Sequence, residues 1–153
     1  MPVISFTSHS VADTYQAGRQ LAAMLRPGDV VLLVGELGAG KTSLVTGIGE
    51  GLGIDDVITS PTFVIVKRYD TGFTPLVHAD AYRLGSTGEF EDLDLLAASQ
   101  DGILVIEWGD MIVGLVPDDH LRVRIVREQD DARSIMFEPH GSWQHRPLRE
   151  MQS

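Results

Sequence analysis

The sequence contains no cysteine, which excludes disulfide bonds, thiol nucleophiles and cysteine-based zinc or iron–sulfur sites. This absence fits a protein of a reducing compartment. Positive charge is also scarce, because 12 Lys and Arg residues stand against 22 Asp and Glu residues, for a net charge of −10. Such a chain is a poor candidate for binding nucleic acid through phosphate contacts alone. It could still act in an RNA pathway through protein partners.

Long hydrophobic runs are missing as well. The longest purely aliphatic run is Val30 to Val34, far short of the roughly 20 residues that span a membrane. Residues 1–15 have neither the basic start nor the apolar stretch of a signal peptide. We therefore expect a cytoplasmic protein with no membrane segment. We place one domain at residues 1–141, followed by a polar C-terminal tail at 142–153.

The hydrophobic pattern predicts an α/β fold with a mostly parallel central sheet, antiparallel additions and helices on both faces. Ser10 and Asp13 are spaced like a helix cap and its partner. The glycines at 47, 49 and 51 suggest either close packing on neighbouring backbone or a loosely held last turn. Helices are predicted after Ser10 and at 41–52 and 89–99, and strands at 3–6, 29–34, 63–69, 76–82, 103–106, 121–125 and 133–137.

Residues 35–42 match the phosphate-binding pattern G-x-x-x-x-G-K-[ST] without a mismatch. A buried strand precedes this loop and a helix follows it, as the mechanism requires. Glycines let the backbone curl so that successive N–H groups point at phosphate oxygens, and the helix adds its positive end. Lys41 would contact the β- and γ-phosphates, and Thr42 would offer its hydroxyl to Mg²⁺. The predicted loop consists of Gly35, Glu36, Leu37, Gly38, Ala39, Gly40, Lys41 and Thr42, and the domain is a single P-loop NTPase domain.

Two carboxylates follow buried strands, where a P-loop enzyme needs an acidic residue for Mg²⁺ or its water. Glu107 comes directly after residues 103–106, and Asp80 ends the strand that begins at residue 76. We interpret Glu107 as linked to Mg²⁺, with a structural ion pair as the alternative. Asp80 is interpreted as a base that orients water or as a group near the metal, with a hydrogen-bonded strand end as the alternative. His78 is more typical of a satisfied structural histidine.

The segment Ser-Pro-Thr-Phe at 60–63 lies where P-loop proteins place a switch that senses the γ-phosphate. The hydroxyls of Ser60 and Thr62 could touch the nucleotide or metal, and an ordinary proline-containing loop fits equally well. The sequence has no asparagine and no D-x-x-G segment, so it cannot read guanine through N-K-x-D. ATP is therefore the expected nucleotide. No arginine is placed clearly as a finger, so we expect slow turnover by the chain alone.

Four segments occur together and in order: GELGAGKTSL at 35–44, SPTF at 60–63, HADAYRL at 78–84 and IEW at 106–108. DDAR at 130–133 is a weaker fifth. With these segments the chain resembles the TsaE (YjeE) family, bacterial ATPases of tRNA threonylcarbamoyladenosine biosynthesis. The resemblance implies an accessory ATPase that binds the TsaB–TsaD pair, which modifies the adenosine beside the anticodon. The tRNA would be met only through these partners.

The resemblance also implies roles for individual residues. Thr42 and Glu107 would hold Mg²⁺, Asp80 would assist hydrolysis, and Ser60 and Thr62 would form the switch. The phosphates would be wrapped by Gly38 to Ser43. The remaining residues implied at or beside the nucleotide are Trp108, Arg133, Asp110 and Ser10.

Two other functions remain open from the residues. A small-molecule kinase would keep the loop and use Asp80 as the base for an acceptor hydroxyl. A nucleotide-gated binding module would use ATP to set partner affinity, with hydrolysis incidental.

Overall fold

The computed structural model describes residues 3–36, 38–59, 66–81, 94–107, 114 and 116–151. All seven predicted strands have a counterpart among its elements. The strands are β1 (Ile4–Ser8), β2 (Val30–Gly35), β3 (Val66–Tyr69), β4 (Leu76–Asp80), β5 (Ile103–Glu107), β6 (Leu121–Arg127) and β7 (Arg133–Pro139). The α-helices among the described residues are α1 (Val11–Ala22), α2 (Lys41–Gly51) and α3 (Leu95–Ala98).

A seven-stranded sheet joins the described strands in the order β1-β7-β6-β2-β5-β4-β3. In its centre β2 pairs in parallel with β5 and β6, and β4 pairs in parallel with β5. The pairs β1–β7, β6–β7 and β3–β4 are antiparallel. The predicted α/β fold, with a parallel centre and antiparallel additions, is confirmed. Because parallel strands end at one edge, the segments after β2, β4, β5 and β6 leave the sheet on the same side.

Apolar side chains cover both faces of the central strand β2. Leu33 belongs to the buried cluster that includes Leu21 of α1 and Ile48 of α2. Leu32 belongs to a second cluster, which contains Leu95 of α3. Successive strand residues point to opposite faces, so helices pack on both sides of the sheet, as predicted. The residues of β2 from 30 to 33 are at most 2% exposed, as a continuously apolar parallel strand requires.

Helix α1 begins at the predicted cap. The Ser10 hydroxyl accepts a hydrogen bond from the Asp13 N–H at 3.1 Å. The Asp13 carboxylate accepts a hydrogen bond from the His9 N–H at 2.9 Å. In a standard capping box it would accept from the N–H of the cap residue, Ser10. Two N–H groups at the helix start therefore have side-chain partners.

Helices α1 and α2 approach each other closely because glycines line their contact. A Cβ on Gly47 would lie 2.2 Å from the Tyr15 carbonyl oxygen, and one on Gly18 would lie 2.4 Å from that of Leu44. No other residue permits this separation. Of the two explanations offered for the glycines of α2, close packing on neighbouring backbone is confirmed at Gly47.

The predicted helix at 89–99 is described only in its second half. Residues 89–93 lie outside the described part of the chain. Within the described part the helix runs from Leu95 to Ala98, and the Ser99 hydroxyl closes it by donating to the Leu95 carbonyl at 2.6 Å. Of the helices that the structure describes, none combines the length and the apolar character needed to cross a bilayer.

The C-terminal segment, predicted as a polar tail, packs on the body of the protein. Trp143 and Leu148 are only 1% and 2% exposed and lie in two short 3₁₀ turns. Arg146 donates to both carboxylate oxygens of Asp29, at 2.5 and 2.9 Å, and lies 3.9 Å above the Trp143 ring. Burial of two apolar side chains orders the segment despite its polar composition. The domain boundary at 141 stays a prediction.

Candidate functional site

The phosphate loop joins the end of β2 to the start of α2 through a tight curl. Gly38 and Gly40 have φ angles of 81° and 111°, a left-handed region that glycine adopts without strain. The Ala39 N–H donates to the Glu36 carbonyl at 3.0 Å, which closes the turn. Glycine at these two positions therefore permits the turn, and phosphate binding by the loop stays a prediction.

The start of α2 faces the opening of this loop. The Gly40 carbonyl accepts the first helical bond, from the Leu44 N–H at 3.0 Å. The first N–H groups of a helix have no partner within it and form its positive end. In α2 these groups belong to Lys41, Thr42 and Ser43. Their position suits a bound anion.

Lys41 folds back onto its own loop. The residue is only 7% exposed, and its Nζ donates to the Gly35 carbonyl at 2.5 Å. Burial lowers the pKa of Lys41 from its ordinary value of 10.5, and the negative charges of Glu107 and Asp80 act in the opposite direction. Phosphate oxygens would be stronger acceptors for this ammonium group than a carbonyl is.

Strands β4 and β5 end side by side with a carboxylate each. Asp80 and Glu107 are partners in the register of the two strands, and they are 7% and 4% exposed. Both act on the charge of Lys41. The structure thus brings together the three residues predicted to be catalytic, and their individual roles stay predictions.

His78 makes a contact that sequence patterns do not predict. It is fully buried, and its Nε2 lies 2.6 Å from Oε2 of Glu107. Its Nδ1 is buried without a hydrogen-bond partner among the described residues. Such a contact orients the carboxylate. Strand alternation puts His78 and Asp80 on the same face of β4. Only the pairing of β4 with β5 shows that Glu107 lies next to His78.

Arg133 and Ser10 lie at the same edge of the sheet as the loop. Arg133 begins β7 and donates from its Nε to the Ala39 carbonyl at 2.9 Å. Ser8 pairs with Arg133 in the β1–β7 register, so Ser10 follows at this edge, where its hydroxyl caps α1. Contacts of either residue with a nucleotide stay predictions.

Some predicted site residues lie outside the described part of the chain. Their proposed roles in the switch and beside the nucleotide stay predictions. These residues are Leu37, Ser60, Thr62, Trp108 and Asp110.

The oxygen donors at this edge suit Mg²⁺. A nucleotide-bound Mg²⁺ takes one or two protein oxygens and completes its shell with phosphates and water. The Thr42 hydroxyl and the Glu107 carboxylate are donors of this kind. Among the described residues no group of three or more His, Asp or Glu side chains is arranged to hold a metal, and a nucleotide-bound Mg²⁺ needs none.

A cleft adjoins the phosphate loop on the side of β6. Its volume is about 340 Å³, and the carboxyl ends of β2 and β6 form its walls. Its lining residues are Val34, Gly35, Glu36, Arg124, Ile125, Val126 and Arg127.

Comparisons with known proteins agree on one family. Residues 8–135 match the family model described as "Threonylcarbamoyl adenosine biosynthesis protein TsaE". The chain is 51% identical over 119 residues to a Streptomyces coelicolor protein named tRNA threonylcarbamoyladenosine biosynthesis protein TsaE, covering 76% of this chain and 80% of that protein. A Bacillus subtilis protein of the same name is 41% identical over 130 residues, covering 85% and 82%.

A solved structure shares the fold. The crystal structure of Bacillus subtilis YdiB superposes with a TM-score of 0.80 at 32% identity, covering 97% of this chain and 93% of that one. The family model spans the phosphate loop, both buried carboxylates and Arg133. On these matches the chain belongs to the TsaE family.

Proposed function

We propose that the chain is a Mg²⁺-dependent ATPase that binds and drives the TsaB–TsaD complex in threonylcarbamoylation of the tRNA adenosine beside the anticodon. The observation that carries the proposal is the convergence of Lys41, Asp80 and Glu107 where the phosphate loop opens. The family description and the names of the relatives support the pathway. The net charge of −10 agrees with contact to tRNA through partners in the cytoplasm.

The loop supplies binding. The backbone N–H groups at the start of α2 would receive the phosphates, and the cleft beside Gly35 would provide space for the nucleoside. Lys41 would leave the Gly35 carbonyl for the β- and γ-phosphates. Because the ammonium group is buried, its charge acts on the phosphates with little screening by water.

The two carboxylates would have different roles in hydrolysis. Glu107, together with Thr42, would hold Mg²⁺, which when bound neutralises charge developing on the phosphate oxygens. Asp80 would orient the attacking water. His78 keeps the Glu107 carboxylate in a single orientation through its 2.6 Å contact, so it is a positioning residue.

The test is ATP hydrolysis by the purified chain, measured as release of inorganic phosphate, alone and with TsaB–TsaD. We expect slow turnover that rises when the pair is added. Lys41→Ala and Glu107→Gln should each lower turnover about a hundredfold or more, because Lys41 would stabilise the charge that develops on the phosphates and Glu107 would hold the Mg²⁺ that does the same. Glu150→Gln makes the same chemical change at an exposed site and is the matched control.

The other outcomes separate the alternatives. Wild-type turnover in both site variants would contradict the assignment of the site. Transfer of γ-phosphate to a metabolite instead of water would favour the small-molecule kinase. A Glu107→Gln protein that binds ATP, does not hydrolyse it and still supports full tRNA modification would favour the nucleotide-gated binding module.

A further inference from the structure

Arg133 connects the phosphate loop to the turn between β6 and β7. Its Nε donates to the Ala39 carbonyl at 2.9 Å, across 94 residues of sequence. Its Nη1 donates to the carbonyls of Asp131 at 3.0 Å and Ala132 at 3.3 Å. One guanidinium group thus bonds to the backbone of both segments, and its rigid planar shape fixes the angle between these bonds.

The turn that receives Arg133 has an unusual backbone. Asp130 and Asp131 have φ angles of 59° and 61°, a conformation that costs free energy in a residue other than glycine. A strained backbone of this kind persists where surrounding contacts hold it. Here the Asp131 carbonyl is one of the acceptors of Arg133, so the strained turn helps to set the position of the guanidinium group.

The bond to Ala39 determines how one peptide unit of the loop is turned. In a trans peptide the carbonyl and the following N–H point in opposite directions. Because the Ala39 carbonyl faces Arg133, the N–H of Gly40 faces the other way. Gly40 has a φ of 111° and tolerates either orientation of this peptide unit, so the loop itself provides little resistance to a flip.

We propose that Arg133 is a positioning residue, which holds the peptide between Ala39 and Gly40 so that the Gly40 N–H faces the phosphates. Its Nε and Nη1 are already engaged with backbone carbonyls. The inference rests on the proposed function for the identity of the ligand, whereas the orientation of the loop can be tested without any ligand.

The experiment compares wild-type protein with Arg133→Ala and Arg133→Lys. Amide hydrogen exchange in peptides covering residues 38–43 is measured without nucleotide, and Mg²⁺–ADP affinity is measured by calorimetry. We expect exchange in this segment to rise in both variants, with exchange in α1 and β5 unchanged. The affinity should fall about tenfold in both. Lysine keeps the charge but cannot bond to Ala39 and Asp131 in the same fixed geometry.

Arg149→Ala removes a positive charge at an exposed position and should change neither measurement. Full affinity in Arg133→Lys would overturn the proposal, since charge alone would then explain the contribution. Unchanged loop exchange in Arg133→Ala would overturn it as well. Absence of nucleotide binding by the wild type would contradict the proposed function, and the exchange comparison would still decide whether Arg133 positions the loop.

Discussion

Burial of Lys41 disfavours the protonated form of its side chain. Burial lowers its pKa below 10.5, so between that lowered pKa and 10.5 the unfolded chain binds more protons than the folded chain. Stability from this residue must therefore increase as the pH rises through that range. We predict that the unfolding free energy of wild type relative to Lys41→Met increases as the pH approaches 10.5. Urea unfolding at several alkaline pH values measures this difference.

The chain's other lysine provides the control for this residue. Lys67→Met removes a lysine from β3, where the side chain bonds to Thr59. The Lys67→Met variant shows how much the unfolding free energy changes when any lysine charge is lost. A difference between wild type and Lys41→Met that does not change with pH would contradict the effect of burial on Lys41.

Helices α1 and α2 are in close contact, and this contact helps to place the start of α2, which follows the phosphate loop. Alanine has a higher helix propensity than glycine by about 1 kcal/mol, yet a methyl group on Gly47 would lie 2.2 Å from the Tyr15 carbonyl oxygen. We predict that Gly47→Ala lowers the unfolding free energy by about 1–3 kcal/mol, because backbone cannot rotate away as a side chain can. Chemical denaturation measures the change.

Gly49→Ala is the matched substitution in the same helix. Its methyl group would meet the end of the Ile58 side chain, which can change rotamer. We expect a smaller loss than for Gly47→Ala. Equal stability of the two variants would show that the helices can separate without cost.

The whole molecule is stabilised far from the phosphate loop. Trp143 and Arg146 attach the C-terminal segment beside Asp29, which precedes β2, while the loop follows β2 at the other edge of the sheet. We predict that Trp143→Ala lowers the unfolding free energy by about 3–5 kcal/mol, with Mg²⁺–ADP affinity unchanged below the melting temperature. Thermal unfolding and calorimetry measure the two quantities. Gln144→Ala, at an exposed neighbour, should change neither, and a parallel loss of affinity in Trp143→Ala would contradict the separation.

Local patterns predicted most of this architecture from the sequence. The loop at 35–42 could be recognised because its chemistry depends on neighbouring residues, and Asp80 and Glu107 could be selected because each ends a buried strand. The contact of His78 with Glu107 could not be predicted, because it depends on the register of β4 against β5. The packing of Trp143 was missed for a related reason. Its segment has no helical or strand period, and its partners lie far away in sequence.

The bond between Arg133 and Ala39 can form only late in the synthesis of the chain. The phosphate loop is translated early, whereas β6 and β7 emerge near the end of synthesis, and β7 must arrive before β1 can join the sheet. A polypeptide that stops before residue 133 contains the full nucleotide-binding motif but has no guanidinium group to orient the peptide after Ala39. If the chain binds nucleotide as proposed, it would gain full affinity only after residue 133 has been made.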